Sequence, residues 1–138
     1  FPGWLERRRE LAERYRRGLA AVPQVRTPHF DDDRFSDMYT NYVIRAERRD
    51  ELKHFLDEQG VETMISWPSP TYRQPLFEDP QYNQEFETPR LVSRRGDDRE
   101  LPETERICRE VISLPMYPEL TDEEVDYVAD AVARFYRS

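Results

Sequence analysis

The feature that most constrains this chain is the order strand, helix, strand packed into about 30 residues, the length of one compact α/β unit. From Met38 to Ala46, Tyr39, Asn41, Val43 and Arg45 alternate with Met38, Thr40, Tyr42, Ile44 and Ala46, so the period predicts a strand with both faces partly covered. Asp50 is placed as an N-cap, Leu52, Phe55 and Leu56 form an inward stripe, and Gly60 supplies a left-handed stop. Val61 to Ser66 then reads as a second strand.

Helical patterns flank this unit. Trp4, Leu11, Ala12, Tyr15 and Leu19 recur near a 3.6-residue period, which predicts an amphipathic helix over Trp4 to Leu19, ended near Gly18 and Pro23. A short extended piece is expected around Val25. Pro102 suits the first turn of a further helix carrying Ile107, Cys108 and Val111, and Val111 to Leu114 can form a short strand before Pro115. Thr121 with Glu124 makes a capping box, and Val125, Val128, Ala129, Val132 and Phe135 line one face of the last helix. Phe77 to Glu100 is polar and aperiodic, and is read as a long surface excursion.

At 138 residues the chain suits one domain with one core. Its formal charge of −8 repels phosphate backbones, and Arg7, Arg8 and Arg9 are interleaved with Glu6, Glu10 and Glu13 at helical spacing, so nucleic acid is not an expected partner. No apolar run nears the roughly 20 residues that span a bilayer, and Phe1-Pro2-Gly3-Trp4 leads straight into charge, so a cytoplasmic location is expected. One cysteine, Cys108, excludes an intrachain disulfide and reads as a small buried residue. The chain does not open on Met, and a piece of a longer protein is expected.

Residue types that carry chemistry are sparse. His29 beside Asp31, Asp32 and Asp33 has metal-ligand types, but consecutive carboxylates point in different directions, so no metal is assigned. His54 reads as a surface residue. No glycine-rich phosphate loop and no Ser, His and Asp set with a known context is present. The segment Ser66 to Gln74 differs in kind: Pro68 and Pro70 stiffen a loop that carries Trp67, Tyr72, Arg73 and Gln74 beyond a strand end. Arg73 suits a phosphate or carboxylate and the aromatic rings suit a sugar or base; equally, Trp67 and Tyr72 can simply pack over the sheet.

The ordered series Arg8, Ala12, Tyr15, Leu19, Tyr42-Val43-Ile44-Arg45, Arg49-Asp50-Glu51-Leu52, Phe55-Leu56, Gly60-Val61-Glu62-Thr63, Trp67-Pro68, Pro70, Gln74, Pro102, Glu105 and Ser113-Leu114-Pro115-Met116 closely resembles the C-terminal third of DegT-type sugar aminotransferases. The resemblance implies that residues 1–138 form the single C-terminal small domain of a fold type I aminotransferase: α/β (α+β two-layer), with a small, mainly antiparallel sheet of about three strands covered by about four helices. It implies a pyridoxal phosphate enzyme that moves an amino group from glutamate or glutamine onto a keto group of a nucleotide-linked sugar, and a homodimer formed through a large domain absent from this chain.

For the residues present, the resemblance implies no catalytic and no cofactor-binding group. The one lysine, Lys53, sits among Asp50, Glu51 and Asp57 where the family carries no cofactor lysine, so the chain alone is expected to bind no pyridoxal phosphate and to be inactive. Ser66, Trp67, Tyr72, Arg73 and Gln74 are the expected substrate contacts. Family members commonly carry histidines in this loop, which here has Ser66 and Tyr72, and the stretch Glu78 to Arg99 is longer than the usual spacer. A cofactor-dependent sugar dehydrase of the same family and a non-catalytic binding or regulatory module that keeps the fold are the alternatives.

Overall fold

The computed structural model describes residues 2–28, 36–74 and 101–137. It contains α1 (Pro2–Leu19), β1 (Val25–Arg26), β2 (Tyr42–Ala46), α2 (Arg49–Glu58), a 3-10 turn (Thr71–Arg73), α3 (Pro102–Glu110), β3 (Val111–Leu114) and α4 (Asp122–Arg137). The chain divides into two compact units, Phe1–Ser66 with Glu110–Ser138, and Trp67–Arg109.

The first unit is a two-layer α/β structure. Its antiparallel sheet has the order β1-β2-β3, with Val25 opposite Ala46 and Ile44 opposite Ile112. Alternation along β2 sends Tyr42, Ile44 and Ala46 into the core and turns Val43 to solvent. On the buried face Tyr15 of α1 stacks on Tyr42 at 4.9 Å, and its hydroxyl donates to the Pro115 carbonyl at 3.0 Å. Burial in that apolar layer pushes the Tyr15 phenol above its ordinary range. The α4 face foreseen from sequence is buried in full, joined by Ala131, and Phe135 meets Phe55 of α2 at 5.6 Å.

Several expectations shift. The strand foreseen from Met38 begins at Tyr42, because Tyr39 takes a left-handed φ of 45° and turns its N–H onto the Asp37 carboxylate at 2.9 Å. Asp50 is not the N-cap; the cap lies two residues earlier at Arg48, itself left-handed at φ 52°, so α2 starts at Arg49, and Asp50 and Glu51 lie in the first turn, where the helix dipole favours acids. Trp4 is half exposed, since burial along α1 begins at Leu11. The strand expected over Val61 to Ser66 contracts to one bridge, Met64 with Ser113 on the far edge of β3. Because β3 is antiparallel to both neighbours, this segment runs parallel to β2 with β3 inserted between them, a split βαβ arrangement.

The ends of the helices follow the sequence signals. Gly60 at φ 74° closes α2 with Val61 N–H to Leu56 O at 2.9 Å and Gly60 N–H to Asp57 O at 3.0 Å, both bonds of a Schellman cap. At α4 the Thr121 N–H donates to Glu124 at 2.8 Å and the Glu124 N–H to the Thr121 hydroxyl at 3.2 Å. Arg14 bridges α1 to α4 through Asp122 and Asp126 at 2.6 to 2.7 Å. The expected insertion Glu78 to Arg99, and His29 with Asp31 to Asp33, lie outside the described residues.

Candidate functional site

The second unit carries the proline-stiffened loop and most of α3. Pro70 is extended at φ −56° and ψ 144°, and the chain then makes a single 3-10 turn closed by Arg73 N–H to Pro70 O at 2.9 Å. Proline fixes φ before the turn, so Tyr72 and Arg73 leave it as neighbours in a set direction. Both reach α3. The Tyr72 hydroxyl donates to Glu105 Oε1 at 2.6 Å and Arg73 Nε donates to the same oxygen at 2.5 Å. Arg109 Nη1 lies 3.9 Å from Glu105 Oε2, one turn further along the helix.

These bonds tune all three groups. The Tyr72 hydroxyl, then the Arg73 guanidinium, hold the Glu105 carboxyl below its ordinary value, while acceptance by Glu105 raises the Tyr72 phenol and the Arg73 guanidinium. The loop is therefore a fixed platform built on an ionised carboxylate. Trp67 stands 63% exposed and Gln74 is exposed at the end of the turn, so each presents its side chain to solvent. Ser66 is an exposed residue at the end of the edge segment of the first unit. Of the five expected contacts, the fold thus joins Tyr72 and Arg73 directly. Glu105 is the member that sequence reasoning did not assign to the site, since it lies 32 residues from Arg73 and no local period links them.

The first unit has its own groove of about 670 Å³, lined by Asn41, Thr63, Met64, Ser113, Tyr117 and Tyr127. Its charged lining residues are Glu62, Glu123 and Glu124, so it opposes an anion. Among the described residues no group of three or more acidic, His or Cys side chains is placed to hold a metal. No described helix is long and apolar enough to cross a membrane.

Lys53 does not fit the role of a lysine that carries pyridoxal phosphate. It lies on α2 with Nζ 2.8 and 3.1 Å from the two Asp57 oxygens, an i,i+4 surface ion pair. A nitrogen that gives its donors to a carboxylate one turn along its own helix is not presented to a cofactor aldehyde.

A capped two-layer α/β unit joined to a proline-stiffened aromatic and arginine loop is the class of structure these observations define. The chain belongs to the DegT/DnrJ/EryC1/StrS aminotransferase family, whose model matches residues 1–133. It is 40% identical over 136 residues to the pleiotropic regulatory protein of Geobacillus stearothermophilus, covering 97% of this chain and 32% of that one. It is 33% identical over 129 residues to dTDP-3-amino-3,4,6-trideoxy-alpha-D-glucose transaminase of Streptomyces venezuelae, covering 94% of this chain and 30% of the relative. The crystal structure of S. venezuelae DesV in complex with a ketimine intermediate superposes with a TM-score of 0.76 at 32% identity, over 98% of this chain and 32% of that chain. This chain spans about a third of the length of the relatives it matches.

Proposed function

We propose that residues 1–138 are the small, substrate-side domain of a pyridoxal phosphate-dependent aminotransferase that moves an amino group from glutamate or glutamine to a keto group of a nucleotide-linked sugar. Family membership over residues 1–133, together with sugar transaminase relatives, supports the reaction class. The observation that carries the site is the loop itself: Tyr72 and Arg73 are locked to one carboxylate while Trp67 stays open to solvent, the arrangement of a preorganised contact surface. In this reading Trp67 stacks on the sugar or its base, Tyr72 and Gln74 supply hydrogen bonds, Arg73 meets an anionic group, and Ser66 stands at the entry to the loop.

The cofactor lysine lies on a large domain outside these residues, consistent with the poor fit of Lys53. The enzyme works in the cytoplasm as a homodimer formed through that domain, and the 138-residue chain alone is inactive. Two measurements test this. The full-length protein transfers label from ¹⁵N-glutamate or ¹⁵N-glutamine to a nucleotide-linked keto sugar, and alanine at Trp67, Tyr72 or Arg73 raises KM for the sugar. The isolated chain, mixed with pyridoxal phosphate and borohydride, shows no stoichiometric adduct on Lys53 by mass spectrometry; such an adduct overturns the assignment of the lysine elsewhere.

The name of the Geobacillus relative favours a second reading, a regulatory module that has kept the fold without amino transfer. Full-length protein that binds a nucleotide-sugar yet transfers no label from either donor supports it over the first.

A further inference from the structure

The loop fixes how one guanidinium is presented. Arginine carries five N–H donors in a planar fork, and here Nε donates to Glu105 Oε1 at 2.5 Å while the Tyr72 hydroxyl is the second side-chain partner of the group among the described residues. The bond at Nε restricts the plane of the group, and the Arg73 side chain as a whole is 62% exposed. The carboxylate that holds it is shielded, with Glu105 18% exposed, and takes Tyr72 on the same oxygen. Arg109 stands on the other side of that carboxylate. Two arginines around one carboxylate leave a local excess of positive charge in a chain of net charge −8. Other arginines are spent differently: Arg14 gives both edges of its fork to Asp122 and Asp126, and Arg16 gives Nε and Nη2 to Glu13.

We propose that Glu105 is a positioning residue, which aims the terminal amino groups of Arg73 at a two-oxygen anionic group of the substrate. Planar guanidinium edges pair two parallel N–H bonds with two oxygens of a phosphate or carboxylate, and a guanidinium held by its third edge loses little freedom on doing so. The identity of the anion rests on the aminotransferase reading, which offers two sources of the same chemistry: the diphosphate of the nucleotide-linked sugar and the carboxylate of the amino donor. Glu105 touches neither. It acts through Arg73.

Calorimetric titration of the full-length protein with inorganic diphosphate, and separately with glutamate, tests the proposal on wild type, R73Q, E105A and E105Q. In at least one arm R73Q and E105A bind about tenfold more weakly than wild type, the loss expected for one charge-assisted contact. E105Q keeps an acceptor oxygen for Tyr72 and Arg73 and stays within about threefold of wild type, a rescue that a general loss of structure does not give. Weakening confined to diphosphate assigns the sugar's diphosphate, and weakening confined to glutamate assigns the donor carboxylate. Equal affinities of all four proteins in both arms overturn the proposal, as does weakening in R73Q with E105A unchanged. Titration needs no turnover, so this result stands apart from a failure of amino transfer, which would overturn the aminotransferase reading alone.

Discussion

Gly18 of α1 and Ala129 of α4 set how closely the first and last helices approach: a methyl group on Gly18 would sit 2.8 Å from the Ala129 Cβ. Two short methyl-bearing positions have no flexible end to swing aside, so the helices themselves must part. Helix propensity alone favours alanine over glycine by about 1 kcal/mol, yet G18A is expected to destabilise the protein by about 1–3 kcal/mol through overpacking. Urea denaturation measures the difference. The double variant G18A/A129G should recover part of the loss, and G18A more stable than wild type would show that the helices yield freely.

Thr63 offers the opposite sign. It is buried, yet among the described residues its hydroxyl has no hydrogen-bond partner. An unsatisfied buried hydroxyl costs free energy that an isosteric methyl does not, so T63V is expected to be neutral or stabilising by up to about 1 kcal/mol. A urea midpoint clearly below wild type at unchanged m-value would contradict this.

At the start of α4, T121A removes the hydroxyl that accepts from the Glu124 N–H and donates to the Glu124 carboxylate, while the backbone N–H of residue 121 keeps its bond to that carboxylate. The expected loss is about 1 kcal/mol. Thr121→Ser should retain most of the stability, and a T121A protein that unfolds at the wild-type denaturant concentration would remove the cap from the account.

Acid should weaken the fold through carboxylates that arginines hold ionised. Glu13 is lowered from 4.5 to about 2, first by its bond to Arg16 and then by Arg17. Asp126 is lowered by Arg14, in the same direction. A depressed folded-state value means that the contribution is present above about pH 4.5 and is lost as pH falls towards 2. Thermal midpoints taken across that window should fall for wild type and fall less steeply for E13Q. Parallel slopes for the two proteins would assign the acid sensitivity to other groups.

The local rules read well from sequence where one stretch holds the whole signal. The capping box at Thr121, the Gly60 stop and the α4 stripe each need only a few adjacent residues, and each stands as read. Signals that depend on distant partners read poorly. Met38 to Ala46 alternates correctly, but the left-handed turn at Tyr39 is invisible to a period-two count. Val61 to Ser66 has strand composition, yet β3 arrives from 50 residues away and grants it one bridge. The two-residue β1, with no period to speak of, is a strand because β2 lies beside it. At the candidate site the loop was legible from its prolines and aromatics, whereas the shared bonds to Glu105 exist only after α3 has folded into its unit.

The brevity of the outermost sheet partners has a further consequence. One described edge of the sheet ends in the two residues of β1, and the other in the single Met64 bridge. An incoming strand needs a run of aligned, unpaired N–H and C=O groups to template itself, and these described edges offer only a fragment of one. The same truncation that hides the described edges from a pattern search thus leaves them poor templates for an added strand.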